Sequence, residues 1–421
     1  MSEFHVNIDQ LGNGVSTPTI YRVDDSLRDS LRYTNEKAYD PMIISIGPLH
    51  RGKSHLKAME QHKVRYLKKL LGNSGHVDMY KDAIRSEVKK ARAFYAEEIG
   101  LSDNEFLDML VLDGIFIVEF LREYKVVDGG RVRRVGNLIF DSVYIVSHLL
   151  RDLVLFENQI PLSVVEVLFH LSNRDDKQEF KDLFWPLTGC HDVPRAIMAN
   201  DDDKPKHLLG LVHSVKCFSF AQLRTHEKRW EEKKNINSAT DLKEAGIVFK
   251  KKPKVEGKDC GWLDITFEKR TLYIPELMIS DETESLFRNM IAHEYYLSGS
   301  RPRYVSDYVF FLHCLMRSTK DVEVLRRCEV IRNWLGGDAR VYEMVDRLGT
   351  NVFNSRVFSY EGVFDGIHEH CEKKWNKWIA VLRRHHFNNP WTILSLVAAV
   401  VLLTATIVQT VFTVTSYYKE S

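Results

Sequence analysis

The chain has 421 residues, 44% of them hydrophobic and 28% charged, the make-up of an ordinary globular protein with room for one large domain or two smaller ones. Its 59 Lys and Arg against 58 Asp and Glu leave a net charge of +1, so nucleic acid is not expected as a partner and any charge-driven contact must be local. The six cysteines, Cys190, Cys217, Cys260, Cys314, Cys328 and Cys371, are scattered without paired spacing, which predicts reduced thiols in a cytosolic domain. The first ten residues have neither a basic n-region nor an apolar core, so no cleavable secretory signal is expected.

Residues 1–40 are polar and mixed, with a helix expected around Asp25 to Asn35, and read as an N-terminal cap. A helical core region is expected over 41–245. After the short apolar run Pro41 to Ile46, the spacing of Leu56, Met59, Tyr66, Leu67 and Leu70 predicts a basic-faced helix from His55 to Leu71, stopped by Gly72. Ser102 and Glu105 make a capping box for a second helix through Phe106, Leu110, Phe116 and Leu121, apolar all round and therefore central. From Leu149 to Leu171 the apolar segment is broken by Glu157-Asn158-Gln159-Ile160-Pro161, so one helix should end there and another start at Pro161. Arg174 to Asp203 reads as loop, and Lys204 to Arg224 as helix.

Over 246–280, Leu263, Ile265 and Phe267 alternate with polar residues, turn at Glu268-Lys269-Arg270 and return through Leu272 and Ile274, a β hairpin with Ile247 to Lys250 as a third strand. Helices resume over 281–386, the first capped by Asp281 with Glu284. From Asn388 to Tyr418 no residue is charged, and 391–414 offer about 24 mainly apolar residues where roughly 20 suffice to cross a bilayer. Trp391, Tyr417 and Tyr418 flank the run; Lys373, Lys374, Lys377, Arg383 and Arg384 precede it and only Lys419 follows. This pattern predicts a single-pass membrane protein, bound to lipid through 391–414 with its N-terminal domain cytosolic. The fold class expected is thus mainly α, with a small β hairpin and one C-terminal transmembrane helix.

Gly47 to Ser54 fits the phosphate-loop pattern G-x-x-x-x-G-K-[ST], between an apolar run and a helix, and Asp113 could hold magnesium. A nucleotide hydrolase using Gly47, Gly52, Lys53, Ser54 and Asp113 is therefore the enzyme alternative. Against it, the pattern arises by chance in about one chain in a hundred, the parallel sheet that such a loop requires is missing from the sequence pattern, and Pro48 removes a backbone N–H. His293-Glu294 lacks a second histidine four residues on, so the metalloprotease pattern fails. His368-Glu369-His370-Cys371 offers ligands whose side chains diverge around a helix, and Glu157, Asn158 and Gln159 read as helix-end caps. Asp113 and Glu119 are expected to pair with a basic residue of a neighbouring helix. Lys57, Lys63, Arg65, Lys68 and Lys69 read as a solvated face, and His385-His386 as part of a basic collar. No cofactor, metal or catalytic residue is expected.

The segment Ser45-Ile46-Gly47-Pro48-Leu49-His50-Arg51-Gly52, followed by Met59-Glu60, Lys63 and Tyr66-Leu67, closely resembles the opening motif of the plant family catalogued as domain of unknown function 247. So do Met109 to Gly114 with Asp113 at its centre, Leu153 to Pro161 with Glu157, Asn158, Gln159 and Pro161, the run Ala239 to Gly246, and Thr283-Glu284-Ser285 with Arg288-Asn289. The resemblance covers nearly the whole chain. It implies a mainly helical plant protein, C-terminally membrane-anchored and without established enzymatic activity; in grasses, similar members are associated with the pollen side of self-incompatibility. The expected role is recognition, signalling or scaffolding through a protein partner whose identity the sequence does not name.

Overall fold

The computed structural model describes residues 18–24, 36–72, 75–124, 126–127, 131–132, 139–172, 179–190, 193–199, 204–222, 235–253, 262–297, 302–350, 352, 357–373 and 390–420. The helix expected at Asp25 to Asn35, Cys260 and most of the basic collar lie outside them. The described chain is mainly helical with small sheets, and its buried apolar side chains form two clusters.

The first cluster is built by the N-terminal helices. α1 (Lys57–Leu71) follows a 3-10 turn at Ser54–Leu56 and buries Met59, Tyr66 and Leu70 while its other face stays in solvent. Next come α2 (Asp78–Arg85), α3 (Val88–Arg92) and the central α4 (Asp103–Glu123). The capping box at Ser102 and Glu105 forms in both directions, satisfying N–H groups that the first turn would leave orphaned. α4 buries nearly every side chain from Phe106 to Leu121 because its neighbours cover all sides: α1, α2 and, after α5 (Val143–Asp152), α6 (Leu162–Ser172). A short ladder, β1 (Val126–Val127) with β2 (Arg131–Val132), and the brief α7 (Trp185–Thr188) and α8 (Arg195–Ala199) complete this half.

α9 (Leu208–Gln222) is the wall between the clusters. Leu208, Leu211 and Val215 face the first, while Leu209, Val212, Cys217 and Phe220 face the second. The second cluster then gathers α10 (Ala239–Glu244), β3 (Val248–Lys251), β4 (Thr266–Glu268), β5 (Thr271–Ile274), β6 (Leu277–Ile279), α11 (Thr283–Tyr296), α12 (Tyr304–Leu315), α13 (Thr319–Arg327), β7 (Ile331–Asn333), α14 (Asp338–Gly349) and α15 (Glu361–Glu372). β4 and β5 form the antiparallel hairpin, Lys269 turning with φ 58, and β3 lies parallel to β5 on its other edge. Leu263 and Ile265 are not strand residues; they plug the core, and the Leu263 carbonyl accepts the Tyr360 hydroxyl. The parallel pair β6 with β7 was not expected, since its partners are far apart in sequence and each is only three residues long.

Three local expectations need correction. Pro161 does stand before α6, but the preceding helix stops at Asp152 and the intervening residues form an irregular buried crossing. Asp281 and Glu284 do not cap α11: Ser280 N–H donates to Thr283 Oγ1 instead, and Glu284 is drawn inward by arginines. Cys190 is disulfide-bonded, whereas Cys217, Cys314, Cys328 and Cys371 are free thiols, so not all six cysteines are reduced.

The larger correction concerns the membrane. α16 (Pro390–Glu420) is a 31-residue helix, yet among the described residues no helix is long and apolar enough to cross a membrane. The transmembrane helix and lipid contact expected at 391–414 are therefore not supported. The α16 stretch 397–413 carries four threonines and Gln409 among the apolar residues. Within it Thr404, Thr406, Thr410 and Thr413 turn their hydroxyls back onto carbonyls of the preceding turn. The expectation had rested on the charge-free apolar run, its aromatic flanks and the basic residues before it.

Candidate functional site

The residues of the opening motif are brought together with Asp113, but as a structural tie. Gly47 adopts φ +77, and its N–H donates to Asp113 Oδ2 at 2.8 Å. Lys63, on the buried side of α1, donates to Asp113 Oδ1 at 2.6 Å and to the Ser45 carbonyl, and lies 2.6 Å from Glu60 Oε1. Burial pushes the Asp113 carboxyl up, and Lys63 offsets part of that rise. Lys63 is thus no part of a solvated face. Glu119, by contrast with its expectation, pairs within its own helix, with Arg122.

The rest of the segment that fits the phosphate-loop pattern is turned the same way. Residues 42–46 are irregular, not a strand, and the N–H groups of Met42, Ile43 and Ile44 converge on the Asp152 carboxylate while that of Ile46 donates to Asn158 Oδ1. The Arg51 and Lys53 N–H groups return to the Pro48 and His50 carbonyls, and Lys53 Nζ is 2.9 Å from Asp40 Oδ1. Ser54 opens the 3-10 turn before α1, Gly52 has φ +87, and His50 is buried between Asp40, 3.6 Å away, and Glu157, 3.3 Å away.

Glu157, Asn158 and Gln159 do more than cap. Asn158 Nδ2 and Gln159 Nε2 take the Asp152 and Leu153 carbonyls at the end of α5, but Glu157 Oε1 also accepts the Val23 N–H, Asn158 holds residues 44 and 46, and Gln159 Oε1 accepts from Leu209 in the first turn of α9. These residues therefore fasten the N-terminal segment and α9 to one crossing point between the clusters. Glu157 Oε1 and the side-chain amides of Asn158 and Gln159 are all hydrogen-bonded there, and leaving such a buried group unpaired costs about 1–3 kcal/mol.

The later motif residues act alike. Asn289 Oδ1 accepts the Phe156 N–H while its amide donates to the Ala38 and Ser285 carbonyls, and Glu284 is held by Arg288 at 2.7 Å and Arg347 at 2.9 Å. Burial pushes the Glu284 carboxyl up, but the two guanidiniums outweigh it and keep the group below the usual range. A lowered folded-state value means that this stability is present above the ordinary glutamate pKa and is lost as pH falls through the folded value. Glu284→Gln should lose about 1.5–3 kcal/mol near neutrality and show a flatter acid limb of stability, read by urea unfolding from pH 3 to 7.

A cavity of about 630 Å³ opens between α9, α11 and the segments 18–19, 196–197, 204–207 and 302–304. Three histidine rings meet on its wall: His207 and His293 with centroids 5.1 Å apart, His213 and His293 5.2 Å apart. Behind them His213 Nε2 lies 2.8 Å from Glu294 Oε1 and 3.6 Å from Cys217 Sγ. Burial pushes His207 down to about 4. For His213 burial acts downward too, but Cys217 and Glu294 outweigh it and raise the imidazole to about 10; the Cys217 thiol is pushed up by burial.

That geometry limits the chemistry. A nucleophilic cysteine needs a base on one ring nitrogen and an orienting acid on the other, and a depressed thiol pKa. Here sulfur and carboxylate meet at the same nitrogen and the thiol is raised, so a Cys-His-Glu relay does not form. Glu294, weighed in the sequence only beside His293, bonds His213, 81 residues away. His213 and Cys217 at i and i+4 on a helix were the available signal. Of His368-Glu369-His370-Cys371, His370 faces the Ala245 carbonyl and no donor cluster forms there among the described residues.

Fold and site together define a mainly helical body with two apolar cores, knotted by buried polar ties and carrying one histidine-lined cavity. A family model described as a plant protein of unknown function, DUF247, matches residues 20–405. The chain belongs to that family, as the motif resemblance implied. It is similar to UPF0481 protein At3g47200 of Arabidopsis thaliana, 28% identical over 97% of this chain and 88% of the relative. It is also similar to the putative UPF0481 protein At3g02645 of the same plant, 23% identical over 92% of this chain and 88% of the relative. No solved structure matches.

Proposed function

We propose that the protein is a recognition or scaffold module for a protein partner and not an enzyme. The observation that supports this most is the consumption of the motif residues by internal ties: Asp113, Asp152, Asn158 and Asn289 hold backbone from distant parts of the chain, and none projects into the cavity lining. A body fixed in this way presents a constant surface, which recognition requires and which association favours by lowering ordering costs. Recognition of the self-incompatibility kind, implied by the resemblance, is the finer form of this reading.

The rival nucleotide hydrolase needs N–H groups aimed at phosphate and a lysine free to reach it. The test is calorimetric titration of the full chain with magnesium-ATP and magnesium-GTP. No saturable binding is expected, and Lys53→Ala should change stability by only about 0–1 kcal/mol, as for an exposed ion pair. Saturable nucleotide binding abolished by Lys53→Ala would overturn the proposal.

A further inference from the structure

We propose that His213, Cys217 and Glu294 form a divalent metal site of the zinc class at the inner wall of the cavity. Their ligand atoms all lie within 4.8 Å of one another: imidazole Nε2, thiol Sγ and a carboxylate oxygen, brought together from two helices. Tetrahedral zinc with bonds of about 2.0–2.3 Å sets nitrogen and sulfur about 3.5 Å apart and nitrogen and oxygen about 3.3 Å apart. The N to S separation of 3.6 Å already meets this, and the N to O separation of 2.8 Å must open by about half an ångström as the ion replaces the proton between them.

Local structure fixes each donor. His213 and Cys217 sit one turn apart on α9, so their side chains share a face. Glu294 is held from behind: the Val305 N–H donates to Oε1, and the Ser306 N–H and hydroxyl donate to Oε2, at 2.7–2.9 Å. Such outer bonds orient a ligating carboxylate and are characteristic of built sites. His213 and Cys217 line the cavity, which supplies an entry path and leaves room for a fourth ligand on that side. His207, fully buried on the same wall, has no well-formed hydrogen bond at Nε2. One thiolate, one imidazole and one carboxylate form a mixed soft and borderline donor set, which suits zinc and disfavours magnesium or calcium. Binding sends the thiol proton and the proton shared by His213 and Glu294 to solvent.

The test uses the full chain, stripped with chelator and titrated with cobalt(II), whose thiolate charge-transfer and ligand-field bands report sulfur ligation and tetrahedral geometry. One equivalent should bind with both bands, and zinc should displace it. Cys217→Ser should abolish the charge-transfer band, while the double control Cys328→Ser, Cys371→Ser should retain it. Ser306→Ala should keep the band but weaken binding about 10–100-fold, as loss of an outer partner does. Absence of the band in the wild type, or its persistence in Cys217→Ser, overturns the proposal. If Cys217→Ser fails to fold by circular dichroism, X-ray absorption of the zinc-loaded wild type decides: a shell with one sulfur supports the site, and a shell with none or several sinks it.

Discussion

Lys63→Ala is expected to destabilise the protein by about 3–5 kcal/mol, the cost of leaving one partner of a buried ion pair uncompensated. The side chain is 1% exposed, and it ties Asp113, Glu60 and the Ser45 carbonyl at once. Without it Asp113 keeps only the Gly47 N–H, inside a helix whose surroundings are almost wholly apolar. Burial already raises this carboxyl, and the variant should raise it further. A raised folded-state value means that stability is present below the unfolded pKa and is lost as pH rises through the folded one, so the deficit should shrink as the solution is acidified. Urea unfolding at pH 7 and at pH 5 measures both effects. The double variant Lys63→Met, Asp113→Leu should recover only part of the loss, because the Gly47 N–H and Ser45 carbonyl lose their partners. A loss below about 1 kcal/mol for Lys63→Ala would mean that the pair is solvated, contrary to its geometry.

Gly47→Ala and Gly52→Ala should differ sharply although both glycines belong to the same short motif. Both have positive φ, +77 and +87, where an L side chain costs about 1–2 kcal/mol. A Cβ on Gly47 would in addition overlap the Gln159 carbonyl oxygen and press on the Tyr95 hydroxyl, whereas a Cβ on Gly52 meets nothing within 4 Å. Neither obstacle at Gly47 can yield cheaply, since that carbonyl accepts the Tyr95 hydroxyl and Gln159 itself is bonded to Leu153, Leu155 and Leu209. Gly47→Ala should therefore cost more than about 4 kcal/mol, and Gly52→Ala about 1–2 kcal/mol. Thermal unfolding of the two variants side by side checks this. Equal effects would show that the close approach of 47 to 159 does not govern the loop.

The contacts of Gly47 and Lys63 account for why a phosphate-loop pattern can be read in this segment. Gly47, Lys63, Asp113 and Gln159 come from four separate segments, and they meet because the chain crosses between its two apolar clusters at this point. A phosphate loop and a buried polar knot ask for similar residues: a glycine at positive φ, a lysine and a carboxylate. They differ in where the N–H groups and the lysine point. At 42–46 those N–H groups point at Asp152 and Asn158, so the likeness ends at the letters.

Features set by near neighbours were readable from the residues alone. The capping box at Ser102, the all-round apolarity of α4, the basic face of α1 apart from Lys63, its stop at Gly72, and the hairpin turn at Lys269 each depend on neighbours within a few residues, and each formed. Family membership was legible through short motifs, and the structure places several of their residues, Gly47, Asp113, Glu157, Asn158 and Asn289, in buried polar ties. The remaining features depend on long-range contacts. Pairing of β6 with β7, the gathering of His213, Cys217 and Glu294, and the service of Asp152 to three backbone N–H groups 108–110 residues away all bring together segments remote in sequence. Periodicity reports which face of an element is apolar. It carries no record of which other element that face will meet, and it is at those meetings that buried polar groups find partners.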